Sequence, residues 1–283
     1  MPPPSSEPSL GGSRKQGVDY RPRGAGDILE PMDIDPALGL PLFSPPLDTE
    51  ALASWFDSGY PLEFCASESF DPSFIRELSF SGFIPMACRD EEGGREILTP
   101  KLHRERAILD PKLVRITRTA GRDSRRFVLC VDSALPEVLE RCSATHGEAW
   151  LRPPLREGIL ALAGHGAEGS LGRILSFELR DEDRLVAGEF GFLVGAAYTS
   201  FSGFRSESGT GTVQLAATAR ALETAGVLLW DLGMPMGYKE ALGARTVDRG
   251  QFLALFRAAR SAPLSPDFSF LPEKARSLLT RQL

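Results

Sequence analysis

The 283-residue sequence is short of the residues that most often announce chemistry, with only four cysteines and three histidines. Cys65, Cys88, Cys130 and Cys142 show neither Cys-Xaa-Xaa-Cys spacing nor a paired pattern. That argues against a zinc site or a disulfide framework and fits a reducing compartment better than a secreted one. His103, His146 and His165 stand in polar stretches without a partnered nucleophile motif, so serine or cysteine hydrolase chemistry finds no support. No run approaches the roughly 18 apolar residues of a membrane span, and the first residues lack the apolar core of a signal peptide. The expectation is a soluble, cytoplasmic monomer with no membrane partner, no metal and no cofactor. Its net charge of −6 argues against indiscriminate coating of nucleic acid, but leaves room for a local basic face.

What is present looks globular, with 42% hydrophobic and 25% charged residues. The length suits one large domain, or a medium one with a smaller partner. Residues 1–47 hold ten of the 22 prolines. Such a segment buries too little apolar surface to offset its ordering entropy, so a disordered tail is expected there. Its last part, residues 38–47, is apolar enough to lie against a domain.

Residues 48–105 read as a small, mainly helical domain. Asp48 or Thr49 can cap one short helix. Asp71 caps a second, with Pro72 at its first position and Phe74, Ile75 and Leu78 along one side. Between Lys101 and Arg126 nine basic residues face three acidic ones. Arg115, Arg118, Arg122, Arg125 and Arg126 are candidates for phosphate contact. A solvated helical face would look the same, and the spacing does not separate the two.

The remainder predicts an ordered series. A strand over 127–131 is followed by helices over 136–142 and 153–163. Three adjacent antiparallel strands come next, over 173–179, 184–193 and 196–201. A helix over 213–225 leads into the apolar run Val227-Leu-Leu-Trp230, which ends on Asp231. Gly233 and Pro235 break that run, and a short helix follows over 238–242. A continuous apolar run reads as a strand buried on both faces. A carboxylate at the carboxyl end of such a strand can be a site residue, or it can simply cap the turn that follows. The whole is α+β with a mixed, mostly antiparallel sheet.

That element order resembles the GNAT acyltransferase fold, and motifs in register resemble the leucyl/phenylalanyl-tRNA–protein transferases. Asp71-Pro-Ser-Phe-Ile…Gly82-Phe-Ile-Pro is similar to that family's helix and Gly-Ile-Phe-Pro-Trp. Ala134-Leu…Val138-Leu-Glu-Arg-Cys142, Gly147-Glu-Ala-Trp-Leu151 and Leu185-Val-Ala-Gly-Glu-Phe-Gly have counterparts too. The most specific piece is Asp231-Leu-Gly-Met-Pro…Leu242-Gly-Ala-Arg…Phe252-Leu. The likeness runs over roughly 200 residues. It places a GNAT-like aminoacyltransferase domain at 106–272, with a tail over 273–283.

The resemblance implies transfer of leucine, phenylalanine or a related amino acid from aminoacyl-tRNA to the N-terminus of an acceptor protein, which marks it for the N-degron pathway. Catalysis would then be positioning, proton removal from the amine and oxyanion stabilisation. It implies Asp231 as the catalytic acid that holds or deprotonates the amine, and Trp150 as the stacking platform for the terminal adenine. Ser202 and Phe204 would line the amino-acid pocket. Phe201 stands where the family strand carries Glu, Gly233 where it carries Gln two residues after the acid, and Met86 where it carries Trp. These exchanges make the pocket more apolar. Two other classes stay open on the residues: an acyl-CoA-dependent N-acyltransferase using Gly209-Thr-Gly-Thr212 as a pyrophosphate cradle, and a binding module that has lost catalysis. Apart from the likeness, Trp150 reads as a core residue.

Overall fold

Two aspartates start the first helices as their spacing predicts. Asp48 accepts from the backbone N–H groups of Glu50 and Ala51, and Asp71 accepts from Ser73 N with Pro72 at the first helical position. The computed structural model of the chain describes residues 33–90, 94–147, 150–164 and 171–280. Within them the order is β1 (Asp33–Ile34), β2 (Pro41–Leu42), α1 (Thr49–Asp57), α2 (Pro72–Phe80), β3 (Ala87–Arg89), β4 (Glu96–Leu98) and β5 (Glu105–Leu109). After a 3-10 turn come α3 (Arg118–Asp123), a second 3-10 turn, β6 (Phe127–Val131), α4 (Leu135–His146), α5 (Pro153–Gly164), β7 (Arg173–Asp181), β8 (Arg184–Val194) and β9 (Ala197–Arg205). The chain continues with α6 (Thr210–Ala225), β10 (Leu229–Asp231), α7 (Gly237–Leu242), β11 (Arg245–Asp248), α8 (Arg249–Arg260), β12 (Glu273–Lys274) and α9 (Ala275–Thr280).

An eight-stranded sheet in the order β11-β5-β10-β9-β8-β7-β6-β12 organises the chain. Every neighbouring pair is antiparallel except β9 and β10, which run parallel. This is the mixed, mostly antiparallel α+β arrangement expected. One core packs α1, α2, α4, α5 and α8 on one face through Leu52, Phe56, Phe74, Leu139, Leu155, Phe190 and Phe252. A second packs α6 and α9 on the other through Ala217, Leu222, Leu278, Phe177, Tyr198 and Trp230. Each fully buried Leu or Phe contributes about 1.5–3 kcal/mol, so both helical layers are held firmly to the sheet.

Three expectations are corrected. Residues 1–32 of the expected tail lie outside the described residues, but 33–47 are ordered as the β1–β2 ribbon, with Leu40 and Phe43 buried. The apolar residues there supply enough burial to order it. The expected tail at 273–283 is instead β12, paired with β6, and α9, whose Leu278 and Leu279 are buried. The basic stretch contains a strand, β5, lying between β10 and β11. Its Ala107-Ile-Leu109 is buried from both faces, so strand and charge cluster share one segment. The sheet thus takes in both ends of the sequence-derived catalytic domain.

The β8–β9 turn shows why a glycine is needed. Gly195 sits at φ +52°, and a Cβ there would lie 2.0 Å from Arg260 O. The turn is therefore pressed against the end of α8. Arg249, at the start of α8, spreads its guanidinium over five backbone carbonyls, those of Phe56, Tyr60, Leu62, Leu102 and His103.

Candidate functional site

The sheet opens between β9 and β10. β10 accompanies β9 only where Leu229–Asp231 face Ala197–Thr199. Beyond Asp231 the chain stays with β5: Leu232 N donates to Ala107 O at 2.9 Å and Ala107 N to Gly233 O at 2.8 Å. β9 goes on to Arg205 with β8, where a register shift between Phe190 and Gly191 leaves Phe201 as the extra residue of a bulge. A bulge bends and re-aims a strand. The result is a split between residues 200–205 and the 232–236 loop, at the carboxyl end of β10, where open sheets with a strand-order change place their sites.

One face of the split is aromatic. Trp150 stacks parallel to Phe190 at 6.4 Å between ring centres, and Phe190 meets Phe201 edge-on at 6.0 Å. Phe204 lies in the same core. Ser202 faces Phe190 across the strands and reaches Cys142, whose thiol burial pushes up to about 12. Met86 joins this group through the backbone, since its neighbour Ala87 donates from its N–H to Trp150 O. The structure therefore brings together Trp150, Phe201, Ser202, Phe204 and Met86.

Asp231 is placed differently from the expected amine contact. It is fully buried, and both oxygens are taken: Oδ2 accepts from Arg106 Nη1 at 2.7 Å and Oδ1 from Gly233 N at 2.9 Å. Arg106 also donates to Gly82 O and lies over the Phe252 ring at 4.4 Å. The carboxylate neutralises a buried guanidinium and closes the turn, and its complete burial keeps it from an incoming amine as the site stands. Gly233 itself is buried at φ +73°, a left-handed backbone that disfavours the Gln carried there by the likeness.

The other face of the split carries a polar group that sequence reasoning missed. Trp230 Nε1 donates to Ser200 Oγ at 2.8 Å, and Ser200 Oγ donates to Glu189 Oε2 at 3.1 Å. Glu189 is 3% exposed. Burial pushes its carboxyl up to about 8, against the opposing pull of Ser200, Lys239 and Gln214. Lys239 is also buried and donates to Leu232 O at 2.6 Å and Met234 O at 2.7 Å, tying down the loop. Burial brings its ammonium down to about 8, with Asp231 and Glu189 opposing and Arg106 adding to the shift. One signal could have flagged this group: Glu189 is the single acid inside the apolar strand Leu185-Val-Ala-Gly-Glu-Phe-Gly-Phe-Leu193.

The five arginines lie elsewhere. All are exposed, on a segment whose buried Val114 and Ala120 pack into the α6 core, not the core beside Trp150. Arg115 adjoins α7, donating from its backbone N–H to Leu242 O. Arg126 pairs with Asp181 and with Glu207 at the approach to α6, and Arg122 pairs with Asp123. Arg115, Arg118 and Arg125 make no ion pair among the described residues. His103 is not in a polar loop: it is buried, with Nδ1 3.5 Å from Glu63 Oε2. His146 is exposed, with Nε2 2.8 Å from Gly203 O, and His165 lies outside the described residues.

No helix of the described residues is long and apolar enough to cross a membrane. Residues 108–257, which include the split and both its faces from Trp150 to Lys239, match the family model "Leucyl/phenylalanyl-tRNA protein transferase". A leucyl/phenylalanyl-tRNA–protein transferase from Thiobacillus denitrificans is 31% identical over 166 residues, 57% of this chain and 70% of that one. One from Rhizorhabdus wittichii is 28% identical over 199 residues, covering 68% and 76% respectively. Among solved structures, the DUF2156 C-terminal domain described as that of a lysylphosphatidylglycerol synthetase from Agrobacterium fabrum aligns over 76% of both chains, with a TM-score of 0.38 and 13% identity. That likeness is too distant to bear on the site. Family model and relatives agree, and this chain belongs to the leucyl/phenylalanyl-tRNA–protein transferase family.

Proposed function

We propose that this chain moves an aminoacyl group, leucine, phenylalanine or a related apolar residue, from charged tRNA to the N-terminal amine of an acceptor protein, so marking that protein for degradation. The observation that carries the proposal is the parting of β9 from β10 beside an aromatic face, inside the region shared with the family. The amine nitrogen attacks the ester carbonyl, the C–N bond forms and the C–O bond to the ribose breaks. The proton lost by the amine ends on the ribose oxygen. The ester is already activated, so alignment supplies most of what is needed.

The apolar side chain fits the Phe190–Phe201–Phe204 face, and the terminal adenine fits against Trp150. Base stacking of this kind contributes about 1–3 kcal/mol. Asp231 acts as a positioning residue: with Arg106 and Gly233 it fixes the loop that forms the far wall of the split. Exposed Arg115, Arg118 and Arg125, with Arg122 and Arg126 beside them, offer a basic surface for tRNA phosphates. A cytoplasmic enzyme acting as a monomer is consistent with this reading.

The test offers purified protein Leu-, Phe- and Met-tRNA with peptides bearing N-terminal Lys, Arg, Asp or Glu. Transfer of one amino acid to one acceptor class is the expected result. Absence of transfer from every pair, together with binding of acetyl-CoA, would move the assignment to an acyl-CoA-dependent enzyme.

A further inference from the structure

We propose that Glu189 receives the α-ammonium of the aminoacyl group, anchoring the donor substrate from the α6 side of the split. The role rests on the transfer function proposed above. It uses a carboxylate that the family motifs do not supply at this strand position.

The geometry begins with an incomplete hydrogen-bond set. Glu189 Oε2 accepts from Ser200, and the Gln214 amide of α6 stands close enough to lower the carboxyl but gives its hydrogen bond to Thr218, so buried Oε1 has no partner at bonding distance among the described residues. A buried, unpartnered carboxyl oxygen is costly, about 1–3 kcal/mol or more, and such atoms usually mark a missing ligand, water or ion. The charged and titratable groups that act on it come from three elements: Lys239 and Tyr238 of α7, Tyr198 of β9 and Cys142 of α4. Only Lys239 is a cation. It stands beyond ion-pair distance and gives hydrogen bonds to Leu232 O and Met234 O. What would complete the site is a compact donor carrying positive charge.

Position then selects the ligand. Glu189 faces Gly203 across the strands, and a Cβ at Gly203 would lie 3.2 Å from Glu189 Cβ, so no side chain covers the acid from that position. Ser200, its hydrogen-bond partner, is the first residue of β9 past the last pairing with β10. An α-carbon seated in the split would send its substituents to opposite sides. The apolar side chain goes to Phe190 and Phe201, and the ammonium goes to Glu189. The same side chain without its amine leaves Oε1 unpaired, as it is in the free protein, and so forgoes that contact and binds more weakly. The raised proton affinity of Glu189, near 8, falls once an ammonium arrives, so binding releases a proton from the carboxyl.

The test uses a non-reactive donor mimic, 3′-deoxy-3′-(L-phenylalanylamino)adenosine, and its counterpart lacking the α-amine, titrated calorimetrically into the full chain. Wild type binds the amine-bearing compound roughly 10- to 100-fold more tightly, the range for one charge-assisted hydrogen bond. Glu189→Gln abolishes that preference while leaving affinity for the deaminated compound unchanged. In wild type, infrared difference spectra show the protonated-carboxyl band lost on binding the amine-bearing compound alone, a readout that needs no variant. Equal affinity of wild type for both compounds, binding of neither, or a preference kept by Glu189→Gln overturns the proposal. Failure of transfer from charged tRNA with the preference intact removes the transfer reading and leaves the ammonium site standing.

Discussion

Arg106 and Asp231, 125 residues apart, form a fully buried ion pair 2.7 Å long at the root of the split. Removing one member of such a pair strands the other charge, which costs about 3–5 kcal/mol. Asp231→Ala should therefore lower the unfolding free energy by that amount in urea titrations, and the double change Arg106→Met with Asp231→Leu should recover most of it. Unchanged stability in Asp231→Ala alongside lost transfer would instead place this carboxylate on the substrate.

Gly233 invites the exchange Gly233→Gln, which restores the residue of the family motif. Its φ of +73° and the Ile84 Cδ1 3.4 Å from a would-be Cβ argue against a gain. Left-handed backbone disfavours a side chain by about 1–2 kcal/mol. Thermal unfolding should come earlier by a matching amount, with no rise in transfer rate.

Trp150 is half-buried and keeps one ring face on Phe190. Trp150→Ala should weaken binding of an aminoacyl-adenosine mimic by about 1–3 kcal/mol, much more than it lowers the melting temperature in relative terms. A drop in stability with binding intact would return this residue to a packing role.

The arginine segment can be read through salt. Reversing the charge of Arg115, Arg118 and Arg125 should weaken tRNA binding and flatten its dependence on log salt by about 0.7–0.9 for each phosphate that is no longer neutralised. Arg126, held by Asp181 and Glu207, should matter less. Slopes identical to wild type in the triple variant would remove this surface from the tRNA path.

Glu63 and His103 set an acid limit on stability. Burial and the neighbouring Arg106 and Lys101 lower the His103 imidazole from 6.5 to about 4, despite Glu63. Burial alone would raise the Glu63 carboxyl, but His103, the Arg104 N–H and Lys101 lower it from 4.5 to about 2. Both folded values lie below the unfolded ones, so the unfolded chain binds more protons and stability falls as the pH falls. The decline should begin near 6.5 and continue through about 4 towards 2. Unfolding midpoints followed over that range should be flatter in His103→Gln between pH 6.5 and 4.

The order of elements from β6 to α7 could be read directly, because strand and helix periods there are clean and caps such as Asp71 and Gly226 stand where expected. β5 could not. Its apolar Ala107-Ile-Leu109 is only three residues long and lies among charges, so the basic stretch masked a central strand. The aromatic side of the site was legible through motif spacing. Arg106 was not, since nothing local distinguishes a buried arginine from the exposed ones around it. Arg249 was hidden for the same reason: its partners are backbone carbonyls almost 150 to about 190 residues away, which carry no sequence signal.

That arginine has a consequence for how the chain comes apart. Its five carbonyl acceptors all belong to residues 56–103, and it sits at the first turn of α8. A fragment beginning at residue 106 would keep the guanidinium but lose every acceptor and the Phe56 ring it lies over, leaving a charge with none of its partners. The helices ahead of the sheet are thus not a detachable accessory. Calorimetry should record a single melting transition for the chain, and the two pieces should recover structure only when mixed.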